Sequence, residues 1–451
     1  MRFALLAAVA ILPFGGGRAS ASSVPTFDPA EARARIEAVM NSAYPRLDAI
    51  YKDLHQHPEL PFQEKRTAGI LASNMRKLGF DVTERVGGTG VVAVYRNGPG
   101  PVVLVRTDMD ALPMEEQTGL PYASQARQLV DGKQSPVAHA CGHDAHMTWW
   151  LGTAETLIAM RAMWRGTLVF LGQPAEETLS GAKAVLADGL FARFPKPDYA
   201  FAAHVGGGMP VGALVVKDGA VLSAADAIDV TFNGRGAHGS SPSSAIDPVM
   251  MGANFVTDVQ TVISRRKDAQ EFGVITVGAF QAGTVGNVIP SKAELKLSLR
   301  SFTPEVRRLL IEGVETTARA VSDMAGAPAP TITHRHGVAA TRNDSALVAQ
   351  LGPVLRSVFG DGLVVIPASS PGFSGSEDFA EFGAAGVPSV YFMVGGDDPK
   401  RLASYKAQGI PMPTNHSPDF APVPEPTIRN GVSVLTLAVL TVAINWPGAG
   451  K

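Results

Sequence analysis

Val102-Val103-Leu104-Val105-Arg106-Thr107-Asp108-Met109-Asp110-Ala111-Leu112-Pro113 and, further on, Ala138-His139-Ala140-Cys141-Gly142-His143-Asp144-Ala145-His146-Met147 are the stretches on which the reading of this chain turns. Two acids come at the end of a strand-like apolar run. The only cysteine of the chain sits two residues before His143. A lone thiol flanked by imidazoles and carboxylates suits Zn²⁺ or a similar borderline-soft divalent ion.

Working outward, Gln173-Pro174-Ala175-Glu176-Glu177 follows a second strand-like run, Thr167–Gly172. Adjacent acids at a strand end point in different directions. One can therefore ligate a metal while the other takes a proton from bound water. His204 closes a third such run, Tyr199–Ala203, at a place where α/β sheets collect ligands. His416 lies in the loop Thr414-Asn415-His416-Ser417-Pro418-Asp419, and His238 in Gly236-Ala237-His238-Gly239.

The surroundings read as an α/β fold. Residues 31–52 and 63–78 have helical periodicity, the first broken near Pro58 and the second ended by Gly79. Strands are expected at 80–85, 90–96, 101–106, 167–171 and 199–204, with helices at 153–163 and 181–190. Strands alternating with helices argue a mixed central sheet flanked by helices. From about Lys217 the texture changes to strand 227–232, helix 247–265, strands 274–280 and 293–301, helix 305–324 and strand 331–334. That order is a ferredoxin-like split βαβ, and it interrupts the first domain. The α/β texture returns after Arg335 and ends in a helix over 423–444. The expected division is 36–218 with 335–446 for the metal-binding domain, and 219–334 for the insertion.

Composition bounds the function. The formal net charge is −2 with no basic run, which excludes an electrostatic case for nucleic acid. No polybasic segment favours a lipid surface. Met1-Arg2, the apolar run Phe3–Phe14 and Ala19-Ser20-Ala21 read as a signal peptide over 1–21, cleaved after Ala21, so the mature protein is expected in the periplasm or secreted. The apolar run Val432–Ile444 is short for a span and reads as a buried helix. One cysteine allows no internal disulfide. Gly88-Thr89-Gly90-Val91-Val92-Ala93 matches a dinucleotide fingerprint, but a strand follows it where a helix is required. Gly372-Phe373-Ser374-Gly375-Ser376 lacks the last glycine of a nucleophile elbow.

Taken in order, Arg106-x-Asp108-x-Asp110-Ala-Leu-Pro, His139-Ala-Cys141-Gly-His143-Asp-x-His146, Pro174-Ala-Glu176-Glu177, Gly234-x-Gly236-x-His238, Asn287-Val-Ile-Pro290, Gly375-Ser-Glu-Asp378-Phe and His416-Ser-Pro-Asp-Phe resemble the M20 metallopeptidase family. Within it they resemble the amidohydrolases that include hippurate hydrolase and the indoleacetyl–amino acid hydrolases. The resemblance spans about Leu54 to Phe420. It implies a zinc-peptidase-like catalytic domain, with the insertion serving as a lid and dimerisation domain of a homodimer. It also implies two divalent ions, zinc or manganese, with cobalt or nickel as further candidates. Cys141 would bridge them, His143 and His204 would complete one ion's protein ligands, and Glu177 and His416 the other's. Glu176 would be the general base, taking a proton from the metal-activated water that becomes the attacking hydroxide, and later the acid. Asp110 would orient a ligand imidazole from behind. Asp108 stands where other branches carry a histidine ligand and is given an outer role here. His238 would reach the reacting carbonyl from a partner subunit, and Asn287 and Arg300 would hold a substrate carboxylate.

The family pattern is left in two places. Thr178-Leu179-Ser180-Gly181 replaces a glycine-richer turn, and Val205-Gly206-Gly207-Gly208 lacks bulkier residues. Both bear on substrate choice. The function expected is an exported amidohydrolase acting on N-acyl amino acids or small peptides with a free carboxylate. A metallo-carboxypeptidase or dipeptidase is the near alternative. A non-catalytic metal- or amino-acid-binding envelope protein is the alternative of another class, and it leaves a free base such as Glu176 without use. A single structural zinc at Cys141, His143 and His146 would leave Glu176, His204 and His416 unexplained.

Overall fold

A computed structural model of the chain describes residues 28–446. The leader expected over 1–21 lies outside the described residues.

Eight strands form the central sheet, in the spatial order Asp81–Val86, Gly90–Arg96, Thr167–Gln173, Val102–Asp108, Tyr199–Pro210, Ser389–Asp397, Leu214–Lys217 and Leu363–Ile366. The four in the middle, from Thr167–Gln173 to Ser389–Asp397, run parallel, so their carboxyl ends share one edge. Val103–Val105 and Leu168–Leu171 are buried, the continuous apolar run of a strand covered on both faces. One face packs under the helices Pro29–Gln56, His143–Ala159, Ser345–Phe359 and Pro424–Ile444. The other packs under the short helices Gly181–Ala187 and Ala380–Ala384.

Two of the elements that position the site are longer than expected. The helix placed at 153–163 begins at His143. Fourteen of its 17 residues are buried, so it has no polar face to reveal a period. Its first turn has no side-chain cap; Gly142 enters it at φ +85, and a Cβ there would overlap the Val205 side chain. The strand expected to stop at His204 continues to Pro210, because Ser389–Asp397 pairs beside it through Gly395 and Gly206.

The helix Pro424–Ile444 is long and apolar enough to cross a membrane by length and composition, but 78% of its most apolar window is buried inside the protein. It packs directly on His143–Ala159, where a Cβ at Gly431 would meet the Trp149 ring.

The inserted unit has its own core and a four-stranded antiparallel sheet, ordered Gly273–Ala282, Lys292–Ser301, Ala224–Asn233 and Thr331–Val338. With helices Pro248–Asp258 and Pro304–Met324 this is the ferredoxin-like arrangement. Its last strand runs to Val338, past residue 334. The chain enters it at Ser223, whose hydroxyl donates to the Ser374 carbonyl, and leaves it into Ala339 and Ala340.

Candidate metal centre

The parallel strands deliver the donors to one edge. Asp108 ends Val102–Asp108, and the Glu176–Glu177 pair follows Thr167–Gln173. His204 lies within Tyr199–Pro210, and His143 opens its helix. The His416 loop is pinned to the same place by the His416 N–H donating to the Ala140 carbonyl at 2.8 Å. His416 itself has φ +68, a left-handed conformation that costs a non-glycine residue about 1 kcal/mol.

His143 and His204 are each oriented by one ring nitrogen and present the other. His143 Nδ1 meets the Asp110 backbone carbonyl at 2.8 Å, and its Nε2 is buried without a partner. Glu177 Oε1, 3.8 Å away, is also buried without a partner. His204 Nδ1 meets the Val205 carbonyl at 2.8 Å, which turns Nε2 toward Cys141 Sγ at 3.3 Å. His416 Nε2 lies 3.3 Å from Glu177 Oε2, and donor atoms of Cys141, Glu177 and His416 all fall within 4.8 Å of one another. Burial first, then the charges of Glu177, Glu176, Asp108 and Glu377, pushes the Cys141 thiol well above its ordinary range. Only a cation at the site would make the thiolate the stable form. Thiol, imidazole and carboxylate donors with unsatisfied lone pairs fit divalent ions of the zinc or manganese kind.

His146 does not belong to that set. Its Nδ1 faces Asp108 Oδ1 at 2.7 Å and its Nε2 accepts the Val205 N–H at 2.9 Å, so no lone pair is left. Burial lowers its pKa to about 3, which keeps the ring neutral.

Asp110 acts in two ways. Its carbonyl orients His143, while its carboxylate accepts the N–H groups of Glu176 at 3.1 Å and Glu177 at 2.9 Å. It therefore fixes the backbone of the acid pair as well as the His143 ring. Glu176 is buried, with Oε2 3.9 Å from His143 Nε2. Burial, then Glu377 and Glu177, raise its pKa well above the ordinary carboxylate range, as a proton carrier requires.

Arg106, Asp378 and Asn415 stand in the motifs of the sequence, but the contacts they make escaped its reading. Arg106 is buried and donates to Asp108 at 2.8 Å, Glu377 at 2.7 Å and Asp378 at 3.0 Å. Tyr391 donates its hydroxyl to Glu377 at 2.7 Å. An arginine inside a run of buried valines demands acidic partners, which was the physical signal for them. Asn415 donates to the Cys141 and Val205 carbonyls at 3.1 and 3.0 Å and ties the two sides of the centre together.

Cys141, Glu176, Glu177, His204, Glu377, Asn415 and His416 line a cleft of about 410 Å³. Leu179, Leu222, Met393 and Tyr391 supply its less polar surface. Arg300 also lines it, and no carboxylate pairs with its guanidinium among the described residues. His238 and Asn287 are not brought to the cleft within this chain. They sit together on the small ribbon of Ala237–His238 and Val288–Ile289, where His238 is exposed and bonds only locally, to Ser240.

Comparison with known proteins agrees with this geometry. Residues 104–438 match peptidase family M20/M25/M40. Hippurate hydrolase of Campylobacter jejuni is 38% identical over 279 residues, 61% of this chain and 69% of that protein. The putative amidohydrolase YhaA of Bacillus subtilis is 32% identical over 410 residues, 90% of this chain and 97% of that protein. Among solved structures, the Bacillus subtilis YXEP protein, described as a dinuclear metal-binding peptidase, superposes with a TM-score of 0.72. It is 27% identical, covering 89% of this chain and 99% of that one.

Proposed function

From the premise that this chain belongs to peptidase family M20/M25/M40 and is a metal-dependent amide hydrolase, we propose that it cleaves the amide bond of N-acyl amino acids, or of small peptides with a free carboxylate. The observation that carries the reading is the pairing, in one cleft, of buried Glu176 beside the donor cluster with Arg300, a cation that has no carboxylate partner among the described residues.

In this reading Cys141, His143, His204, Glu177 and His416 would hold two divalent ions, with Cys141 shared, His143 and His204 serving one ion and Glu177 and His416 the other. The ions, when bound, polarise the scissile carbonyl and acidify the attacking water. Glu176 accepts the proton of that water and returns it to the departing amine. Asp110, through three hydrogen bonds, keeps the His143 ring and both acids in place. Arg300 and Asn287 hold the substrate's carboxylate, and His238 donates to the oxyanion, a contribution of about 3–4 kcal/mol for such a donor.

His238 reaches a cleft only from a second copy, so a homodimer belongs to the proposal. It is supported by the free edge strand Gly273–Ala282 of the insertion, taken as 219–334, and by the exposed apolar side chains of Met250, Phe280, Val285 and Val288 around it. Export, with cleavage after Ala21, completes the proposal.

The test uses metal-loaded protein with N-acyl amino acids and the matching carboxamides. Hydrolysis of the free acids with kcat/KM at least tenfold above the carboxamides is expected. Equal rates would remove the carboxylate anchor. No turnover of acyl amino acids or peptides, with metal bound, would favour a binding protein.

A further inference from the structure

The acid pair is carried by a strained turn, and the turn is held by a residue remote in sequence. Ala175 has φ +51, which a Cβ-bearing residue adopts only when its surroundings impose it. The surroundings here are two buried carboxylates. Glu64 Oε1 accepts the Ala175 N–H at 2.8 Å, and Asp110 accepts the next two N–H groups, those of Glu176 and Glu177. Three successive backbone donors are thus caught between two acids, and the direction in which Glu176 leaves the chain is set by them.

Glu64 is built for this task. It is fully buried and stands at the start of the helix Lys65–Lys77, yet its side chain makes no capping bond to that helix. Its second oxygen accepts the Thr89 hydroxyl, from the turn between Asp81–Val86 and Gly90–Arg96. Nothing in the proposed chemistry uses it, and it is not a lining residue of the cleft. A buried carboxylate is costly, and this one is devoted to a backbone N–H at a left-handed residue.

We propose that Glu64 is a positioning residue that clamps Ala175 in the left-handed conformation and so aims Glu176 at the reacting centre. The proposal rests on Glu176 being the base. It separates the residue's effect from general stability, because a glycine at 175 adopts φ +51 without cost and makes the clamp less necessary.

The experiment compares metal-loaded E64M, E64Q, A175G and E64M/A175G, and measures backbone hydrogen exchange across 174–178. E64M removes the acceptor at similar length. It is expected to lower kcat about 10- to 100-fold, with KM and metal content within twofold, and to speed exchange in that segment. E64Q keeps an oxygen for the Ala175 N–H and is expected to restore most of kcat. In the A175G background the loss is expected to shrink about fivefold. A loss of the same size with glycine at 175, a loss expressed in KM or metal content, or unchanged exchange would overturn the clamp. If E64M does not fold, T89V decides: it loosens Glu64 alone, and an unchanged kcat and exchange rate would overturn the proposal. If the unaltered protein hydrolyses nothing while E64M speeds the exchange, the clamp stands and the reading of Glu176 as base falls.

Discussion

His143 Nε2 and Glu177 Oε1 face each other at 3.8 Å, both buried, and neither has a hydrogen-bond partner among the described residues. Native proteins rarely leave two such acceptors unsatisfied side by side. A cation between them satisfies both, and it also accounts for a thiol, two further imidazoles and a second acid converging within a few ångströms. The acid pair is divided by His416, not by His143. Both acids stand about equally far from His143 Nε2, at 3.8 and 3.9 Å, but only Glu177 also faces His416, at 3.3 Å, which leaves Glu176 to carry a proton.

That division has a direct consequence for Glu176→Gln. Glutamine preserves shape and removes the base, so kcat should fall by at least about 100-fold, within the range ascribed to general acid–base catalysis, while metal content stays at the wild-type level. Steady-state kinetics with elemental analysis on the same sample checks it. Loss of metal in E176Q would mean that the roles within the pair are exchanged.

His146 provides the converse case. Both of its nitrogens are used by Asp108 and Val205, so His146→Gln should leave metal content unchanged. It should instead cost about 1–3 kcal/mol of stability through the unpaired groups it leaves behind. Denaturant unfolding and metal analysis separate the two effects, and a large fall in metal would return His146 to the ligand set.

His55 couples stability to pH. Burial alone would lower its pKa, but hydrogen bonds to Asp144 at 2.6 Å and Glu116 at 3.0 Å carry it up to about 10. A pKa raised on folding adds stability that is fully present below the unfolded value of about 6.5 and is lost as pH climbs through the folded one. The melting temperature should therefore decline between about pH 7 and 10 in the native protein and decline less in His55→Gln. Parallel declines in the two proteins would contradict the charged His55.

The fold was legible where the chain repeats itself and opaque where it does not. The insertion stands out from its alternating strands and two amphipathic helices. The helix His143–Ala159 hid its first ten residues because it is buried nearly all round. The donors that converge were legible as residue types: Glu177 and His204 at strand ends, Cys141 and His143 in one short run, and His416 in a loop. Their supports were not, since Glu64, Glu377 and Asp378 reach the centre from 111, 271 and 272 residues away from the groups they hold. A buried arginine in a strand hinted that such partners exist, and Glu377 and Asp378 stood in the motif Gly375-Ser-Glu-Asp378-Phe with no contact assigned to them. His238 and Asn287 remain apart from the cleft within one chain, and the proposal has a second copy bring them to it.

Complementation between subunits tests that remedy. Glu176→Gln and His238→Ala homodimers should each be inert, and mixing them through an unfolding–refolding cycle should restore up to about a quarter of the native sites if subunits assort randomly. Activity assays before and after exchange read this out. No recovery, with mixed dimers present, would place His238 outside the reaction.

The most direct test of the account is the metal content of the purified protein measured beside Cys141→Ser. Two equivalents of divalent metal per chain are expected, falling sharply in the variant, because the Cys141 thiolate would be shared by both ions. One equivalent, unaffected by Cys141→Ser, would contradict the bridged pair.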